Sequence, residues 1–214
     1  MSNCAYCAKK PCTKNSTEGA PKDCPGYTHS PEEMLGLYSE EEKKEAFASA
    51  LTEAENYCRA TRVEEIMDYA HKCGYHKLGL AFCAGLSTEA QIFADILRSN
   101  GFEVESVCCK NGRVPKAEIG ITQEMQAHPE CPYEIMCNPI GQALVLDEAK
   151  CDLAIVLGLC VGHDTLFIRH INAPCTVLST KDRVMGHNAL AALYTAKSYK
   201  KGLYNFIQRK YGDK

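Results

Sequence analysis

From Lys77 onward, short and nearly continuous apolar runs alternate with longer stretches of helix-forming residues. The runs Lys77–Phe82, Phe102–Cys108, Asp152–Leu157 and Pro174–Leu178 predict four strands. Helices are predicted over Ser87–Ser99, closed by Asn100 and Gly101, and over Ile140–Ala149, Gly162–His170, Gly186–Lys197 and Leu203–Tyr211. Strands that are apolar along their whole length are buried on both faces, and helical crossovers between them make neighbouring strands parallel. The expectation is an α/β fold with an open, doubly wound, mostly parallel sheet of about four strands, of flavodoxin-like or Rossmann-like type. In the flavodoxin-like order the first and third strands are neighbours at the point where the winding reverses.

Upstream of the first strand the pattern is helical. Ser30 followed by Pro31 and two glutamates is a helix start. The stretch Ser39–Cys58 is rich in Glu, Lys and Ala, and its charge run from Glu40 to Glu45 reads as an exposed face. Thr61–Cys73 is a further helix, opened by a capping box of Thr61 and Glu64 and ended by Gly74. Residues 1–30 differ from all of this: they hold four cysteines, three prolines and two glycines, with almost no aliphatic side chains. Such a segment buries too little apolar surface to order itself, so a metal is expected to order it. The division read from the sequence is a cysteine-rich knuckle over residues 1–30, then a helical lead-in and α/β domain over residues 31–214.

Composition narrows the function classes. A formal net charge of -3 gives no reason to expect nucleic acid or an anionic membrane as partner, and no apolar run reaches the length of a membrane span. The first residues lack the basic start and apolar stretch of a secretory signal, so a cytoplasmic location is expected. The outlier is cysteine, with 14 in a chain that contains no Trp. In a reducing compartment so many thiols read as metal ligands or redox groups rather than as disulfides.

The clearest ligand set is Cys4, Cys7, Cys12 and Cys24, spaced C-x2-C-x4-C-x11-C with Pro25 after the last. Two thiolates separated by two residues grip one metal centre from a tight turn, and two more complete four-fold ligation. Four thiolates without histidine suit zinc or an iron–sulfur cubane. The uneven spacing, unlike the paired knuckles of a zinc ribbon, and the final Cys-Pro favour a 4Fe-4S cluster, with zinc as the alternative.

A second group lies where an open α/β sheet binds its ligands, outside the carboxyl ends of the strands. Cys83 ends the first predicted strand, Cys108 and Cys109 the second, and Cys160 follows the third; the irregular segment 109–138 adds Cys131 and Cys137. Cys83, Cys109, Cys137 and Cys160 are the candidate second centre, a metal or thiol redox site. Whether Cys108 or Cys109 faces the cleft depends on strand register. Gly85 and Gly162 allow close approach of a ligand, and Ser87 and Thr88 are expected to cap the helix that follows. His163 and Asp164 are candidates for a proton donor and its orienting carboxylate. Lys181 and Arg183 offer cations for an anionic substrate, with a solvated turn as the simpler reading. Cys58, Cys73, Cys151 and Cys175 are assigned to core packing.

Four blocks carry a family resemblance: Cys-Ala-Tyr-Cys at 4–7, Cys-Asn-Pro-Ile-Gly-Gln-Ala at 137–143, Gly-Leu-Cys-Val-Gly-His-Asp-Thr-Leu-Phe at 158–167, and Lys-Asp-Arg-Val-Met-Gly-His-Asn at 181–188. They resemble the bacterial and archaeal domain-of-unknown-function family numbered eighteen-forty-seven. The resemblance spans nearly the whole chain. It implies a cysteine-rich, metal-binding protein found largely in anaerobes, and it implies no particular reaction. Three readings therefore stand. The first is an iron–sulfur protein with a thiolate redox or sulfur-chemistry site in the cleft, served by an electron-transfer partner or a small anionic substrate. The second is a zinc-binding or metal-handling module without catalysis. The third is a thiol-dependent hydrolase or transferase, for which no Cys–His pair stands out locally.

Overall fold

The computed structural model describes residues 4–14 and 16–212, so the outermost residues of the two sequence divisions, and residue 15 within the first, lie outside the described residues. The chain separates into two compact units, Met1–Glu55 and Asn56–Lys214.

The first unit begins with tight 3-10 turns at Cys4–Tyr6, Pro11–Lys14 and Pro25–Tyr27. Helix α1 (Pro31–Leu35) has the expected start: Ser30 accepts from the amide of Glu33, and Glu33 reaches back to the amide of Ser30. Helix α2 (Glu40–Asn56) is charged along most of its surface, and its N-terminal turn carries three glutamates where the helix dipole favours them.

The second unit is the α/β domain. Helix α3 (Arg62–Cys73) has its Thr61–Glu64 capping box and stops at Gly74 in the left-handed conformation. The sheet follows as β1 (Lys77–Phe82), β2 (Glu103–Cys108), β3 (Leu153–Leu157) and β4 (Cys175–Ser179), all parallel, in the order β2-β1-β3-β4. Between them run α4 (Ser87–Ser99), α5 (Pro139–Glu148) and α6 (His163–His170). The predicted α/β class, the parallel sheet and the β1–β3 adjacency are all present.

Strand pleating explains the two layers. Leu78 and Leu80 of β1 and Leu153, Ile155 and Leu157 of β3 point to one face, where Ile66 and Ala70 of α3 and Phe93 and Leu97 of α4 cover them. Ala81, Ala154, Val156 and Val107 point to the other face, against Ala143 and Leu146 of α5 and Phe167 of α6. The second face is built from smaller side chains, and its helix packs close. A Cβ added at Gly79 would stand 3.0 Å from Leu146 Cδ1 and 3.1 Å from Cys151 Sγ.

The C-terminal segment departs from expectation. The helix predicted over Gly186–Lys197 is confined to α7 (Leu190–Tyr194), and Leu203–Tyr211 divides into a 3-10 turn at Lys201–Asn205 and α8 (Phe206–Tyr211). None of these pieces contains a buried residue, so tertiary burial gives them little reason to propagate. Two cysteines assigned to packing also differ. Cys58 lies past the end of α2, exposed and with φ +56°, and Cys175 at the start of the edge strand β4 is exposed as well. Cys151 is buried in the second layer, as expected of a packing residue. Among the described residues no helix is long and apolar enough to cross a membrane.

Candidate thiol sites

In the N-terminal unit the backbone turns bring the cysteines together. The Cys7 amide donates to the Cys4 carbonyl at 3.1 Å, folding C-x2-C into one turn. Cys24 precedes the turn at Pro25, whose fixed φ starts it, and the Tyr27 amide closes back on the Cys24 carbonyl at 3.1 Å. Cys4, Cys7, Cys12 and Cys24 all line one cavity of about 260 Å³, together with Lys10, Pro11, Thr13, Pro21, Asp23 and Pro25. Gly26 sits beside two of them: a Cβ there would meet Cys12 Cβ at 3.4 Å and Cys24 Sγ at 3.6 Å. The Tyr27 hydroxyl donates to the Ser16 carbonyl, tying residue 27 to the loop between the third and fourth cysteines. The sulfurs stand around a cavity rather than around a point. Among the described residues no three His, Cys, Asp or Glu side chains are grouped to hold a single metal ion.

In the α/β unit the second set converges at the carboxyl edge of the sheet. Main-chain bonds extend the ladders past the strands: Cys83 N–H to Leu157 C=O at 3.1 Å, Cys109 N–H to Phe82 C=O at 2.9 Å, and Asn138 N–H to Cys109 C=O at 2.7 Å. They align Cys83, Cys109 and Cys137 side by side. Gln142 of α5, fully buried, locks this edge by donating to the carbonyls of Phe82 at 3.2 Å and Val107 at 2.8 Å. Asn138 caps α5 through Gly141 N–H, which leaves Cys137 immediately before the helix. On the other side Gly158, at φ +67°, turns the chain out of β3 where a Cβ would meet Leu86 Cδ1 at 2.1 Å. The turn delivers Cys160 to the cleft.

Cys109, only 2% exposed, is the cleft thiol of the adjacent pair; Cys108 is half-buried at the end of β2. The Cys109 sulfur accepts from the Ala84 amide at 3.3 Å and lies 3.7 Å from Cys137 Sγ. Their contact shifts the two thiols in opposite directions. Cys137 is pulled well below an ordinary thiol by its hydrogen bond with Cys109, then by His163 and the charge of Lys110. Cys109 is pushed up by the same bond, by burial and by the neighbouring Cys83. Arg183 donates to Cys160 Sγ at 3.2 Å, and Cys160, with Cys83 and Cys137 further off, holds the guanidinium in its charged form. Gly85 keeps the space between Lys181 and Cys83 open: a Cβ there would stand 3.3 Å from Lys181 Nζ and 4.0 Å from Cys83 Sγ.

Several sequence assignments change here. Ser87 is the first residue of α4, not its cap, and the N–H that reaches a sulfur comes from Ala84 in the preceding 3-10 turn. Asp164 accepts from Gly162 and Thr165 amides, bracing its own turn rather than His163. Asp182 caps the turn at Val184 and Met185, with His187 Nδ1 accepting from its amide, and this turn presents Arg183. Cys131 lies in the turn from His128, its amide bonded to the His128 carbonyl. Sequence reasoning missed the Cys137–His163 pair and the Gln142 lock. Cys137 and His163 come from different connections, and a glutamine inside an apolar helix gives no local sign of its strand-end acceptors.

The chain belongs to the family described as "Protein of unknown function (DUF1847)", whose model matches residues 24–178. It is 42% identical over 199 residues to the uncharacterized protein MJ0455 of Methanocaldococcus jannaschii, covering 92% of this chain and 96% of that one.

Proposed function

We propose that this protein binds a metal centre at its N-terminus, an iron–sulfur cluster of the 4Fe-4S type, and carries a thiol centre for redox or sulfur chemistry in its α/β cleft. The observation that carries the first part is the common cavity ringed by Cys4, Cys7, Cys12 and Cys24. Its donor set is four thiols without histidine, which is cubane ligation as well as zinc ligation. A single zinc ion with sulfurs at about 2.3 Å needs no cavity, whereas a cluster of several iron and sulfide atoms does. Bound there, the cluster would supply one-electron transfer; the chain's own part is to fold the cysteine turns around it.

The second part rests on four thiols gathered at the carboxyl edge of the sheet with Arg183, Lys181, Lys110 and His163 around them. That charge suits a small anionic substrate or the acidic surface of an electron-transfer partner, and a reducing cytoplasm is the setting in which such thiols stay available. Purification without oxygen tests the first part: about four iron and four acid-labile sulfide per chain are expected, and Cys12→Ser lowers both. One zinc per chain with no sulfide after anaerobic reconstitution would overturn it in favour of a zinc module.

A further inference from the structure

We propose that Cys137 and Cys109 are a dithiol pair that reduces small anionic disulfides, with Cys137 attacking and Cys109 resolving. This deepens the reading of the cleft as a thiol centre and does not depend on the N-terminal metal.

The pair has the asymmetry such chemistry needs. Cys137 is half-buried, with His163 and the Lys110 ammonium, which anchors on the Ile135 carbonyl, near enough to favour its thiolate. Cys109 lies behind it, 2% exposed, so a bulky reagent meets Cys137 first. The sulfurs are 3.7 Å apart, while a disulfide bond is about 2.05 Å long, a gap that side-chain rotation closes. Cys109 is held from the far side by the Ala84 amide, a donor that stabilises the thiolate formed when its proton leaves.

The exchange balances with the disulfide as the only co-reactant. The Cys137 thiolate attacks one sulfur of R–S–S–R, the S–S bond breaks, and one RS⁻ leaves a mixed disulfide on Cys137. The Cys109 thiol then loses its proton and attacks Cys137 Sγ. The mixed disulfide breaks, and the second RS⁻ takes that proton and departs as RSH. Two electrons pass from the cysteine pair to the substrate, which is reduced to two thiols, while the protein keeps a Cys109–Cys137 disulfide. Substrate charge is set by the cations at the mouth. Arg183 is exposed and reaches Cys160, and Lys181 flanks the open space at Gly85, so carboxylates beside the reacting sulfurs meet positive charge.

The test uses the full-length protein, reduced under anaerobic conditions and given one equivalent of oxidised glutathione. Samples are quenched with N-ethylmaleimide and mapped by fragmentation mass spectrometry, which separates Cys108 from Cys109. A Cys109–Cys137 linkage is expected, with about two reduced glutathiones released per chain, since each linkage consumes one disulfide. In Cys109→Ser, glutathione remains on Cys137; in Cys137→Ser, release slows at least about tenfold. Oxidised glutathione should outpace the cationic disulfide cystamine, and the joint substitution of Lys181→Met and Arg183→Met should remove that preference. Stable glutathione on Cys137 of the unaltered protein, or Cys137 reacting no faster than exposed Cys58, would overturn the proposal. Both of those outcomes come from the unaltered chain, so a variant that fails to fold cannot mask them. Iron and sulfide measured on the same sample report separately on the N-terminal reading.

Discussion

The two units use the same side chain under opposite conditions. In the N-terminal unit the cysteines are partly or largely exposed in a run of tight turns where, among the described residues, Pro11 is the only buried one up to Leu35. In the α/β unit Cys83 and Cys109 are buried members of the second core layer, fixed by ladder bonds and by Gln142. In the first arrangement, the proposed metal is what would supply the missing order. The second is preorganised, so its thiols are positioned before anything arrives.

The sharpest way to break this contrast is to strip metal from the N-terminus. A strong iron chelator applied under reducing conditions should abolish hydrogen-exchange protection over residues 4–28 while the sheet keeps its own, as two-state metal-dependent folding requires. Protection that survives in the metal-free segment would remove the distinction. The converse experiment attacks the core. Leu80→Ala, at a position with 0% exposure, should cost about 2–5 kcal/mol by urea denaturation and leave iron content unchanged.

Reactivity separates the regions next. An ordinary thiol loses about 50- to 100-fold in alkylation rate between pH 8 and pH 6 because its thiolate fraction falls. Cys137 has its pKa lowered by Cys109, His163 and Lys110, so its thiolate persists as the pH drops. Iodoacetamide labelling of Cys137 should therefore change only a few-fold over that range in the native chain, and by the full ordinary factor once urea unfolds it. Gln142→Leu keeps the helix packed but leaves the Phe82 and Val107 carbonyls short of a donor. A loss of about 1–3 kcal/mol is expected, together with slower Cys109–Cys137 linkage. The smallest effect belongs to Arg183→Ala. The arginine is exposed, so losing its bond to Cys160 should cost no more than about 1 kcal/mol by urea denaturation.

How much of this was legible varies with how local the cause is. Alternating apolar runs announced β1 to β4 because a doubly covered parallel strand is apolar throughout, and the capping boxes at Ser30 and Thr61 fixed two helix starts. The N-terminal turns at Cys4–Cys7 and Cys24–Tyr27 have local causes, a short spacing and Pro25. The cleft was legible only as a place. That Cys109 and not Cys108 turns inward follows from the β1–β2 register, and that His163 meets Cys137 follows from how the connections beyond β2 and β3 lie against each other. The C-terminal helices failed because propensity alone promised them, and no buried face sustained them.

The adjacency of β1 and β3 also sets a clock. It joins Leu78 to Leu153, 75 residues further along the chain, whereas Cys4 to Cys24 spans 21 residues. Loops of the longer kind close late in folding and those of the shorter kind early. A newly made chain therefore passes through an interval in which its N-terminal turns have formed while Cys83 and Cys160 still sit on unconnected segments. Oxidant met during that interval would pair thiols that the finished sheet keeps apart, so the order of assembly, as much as the final geometry, decides which thiols meet.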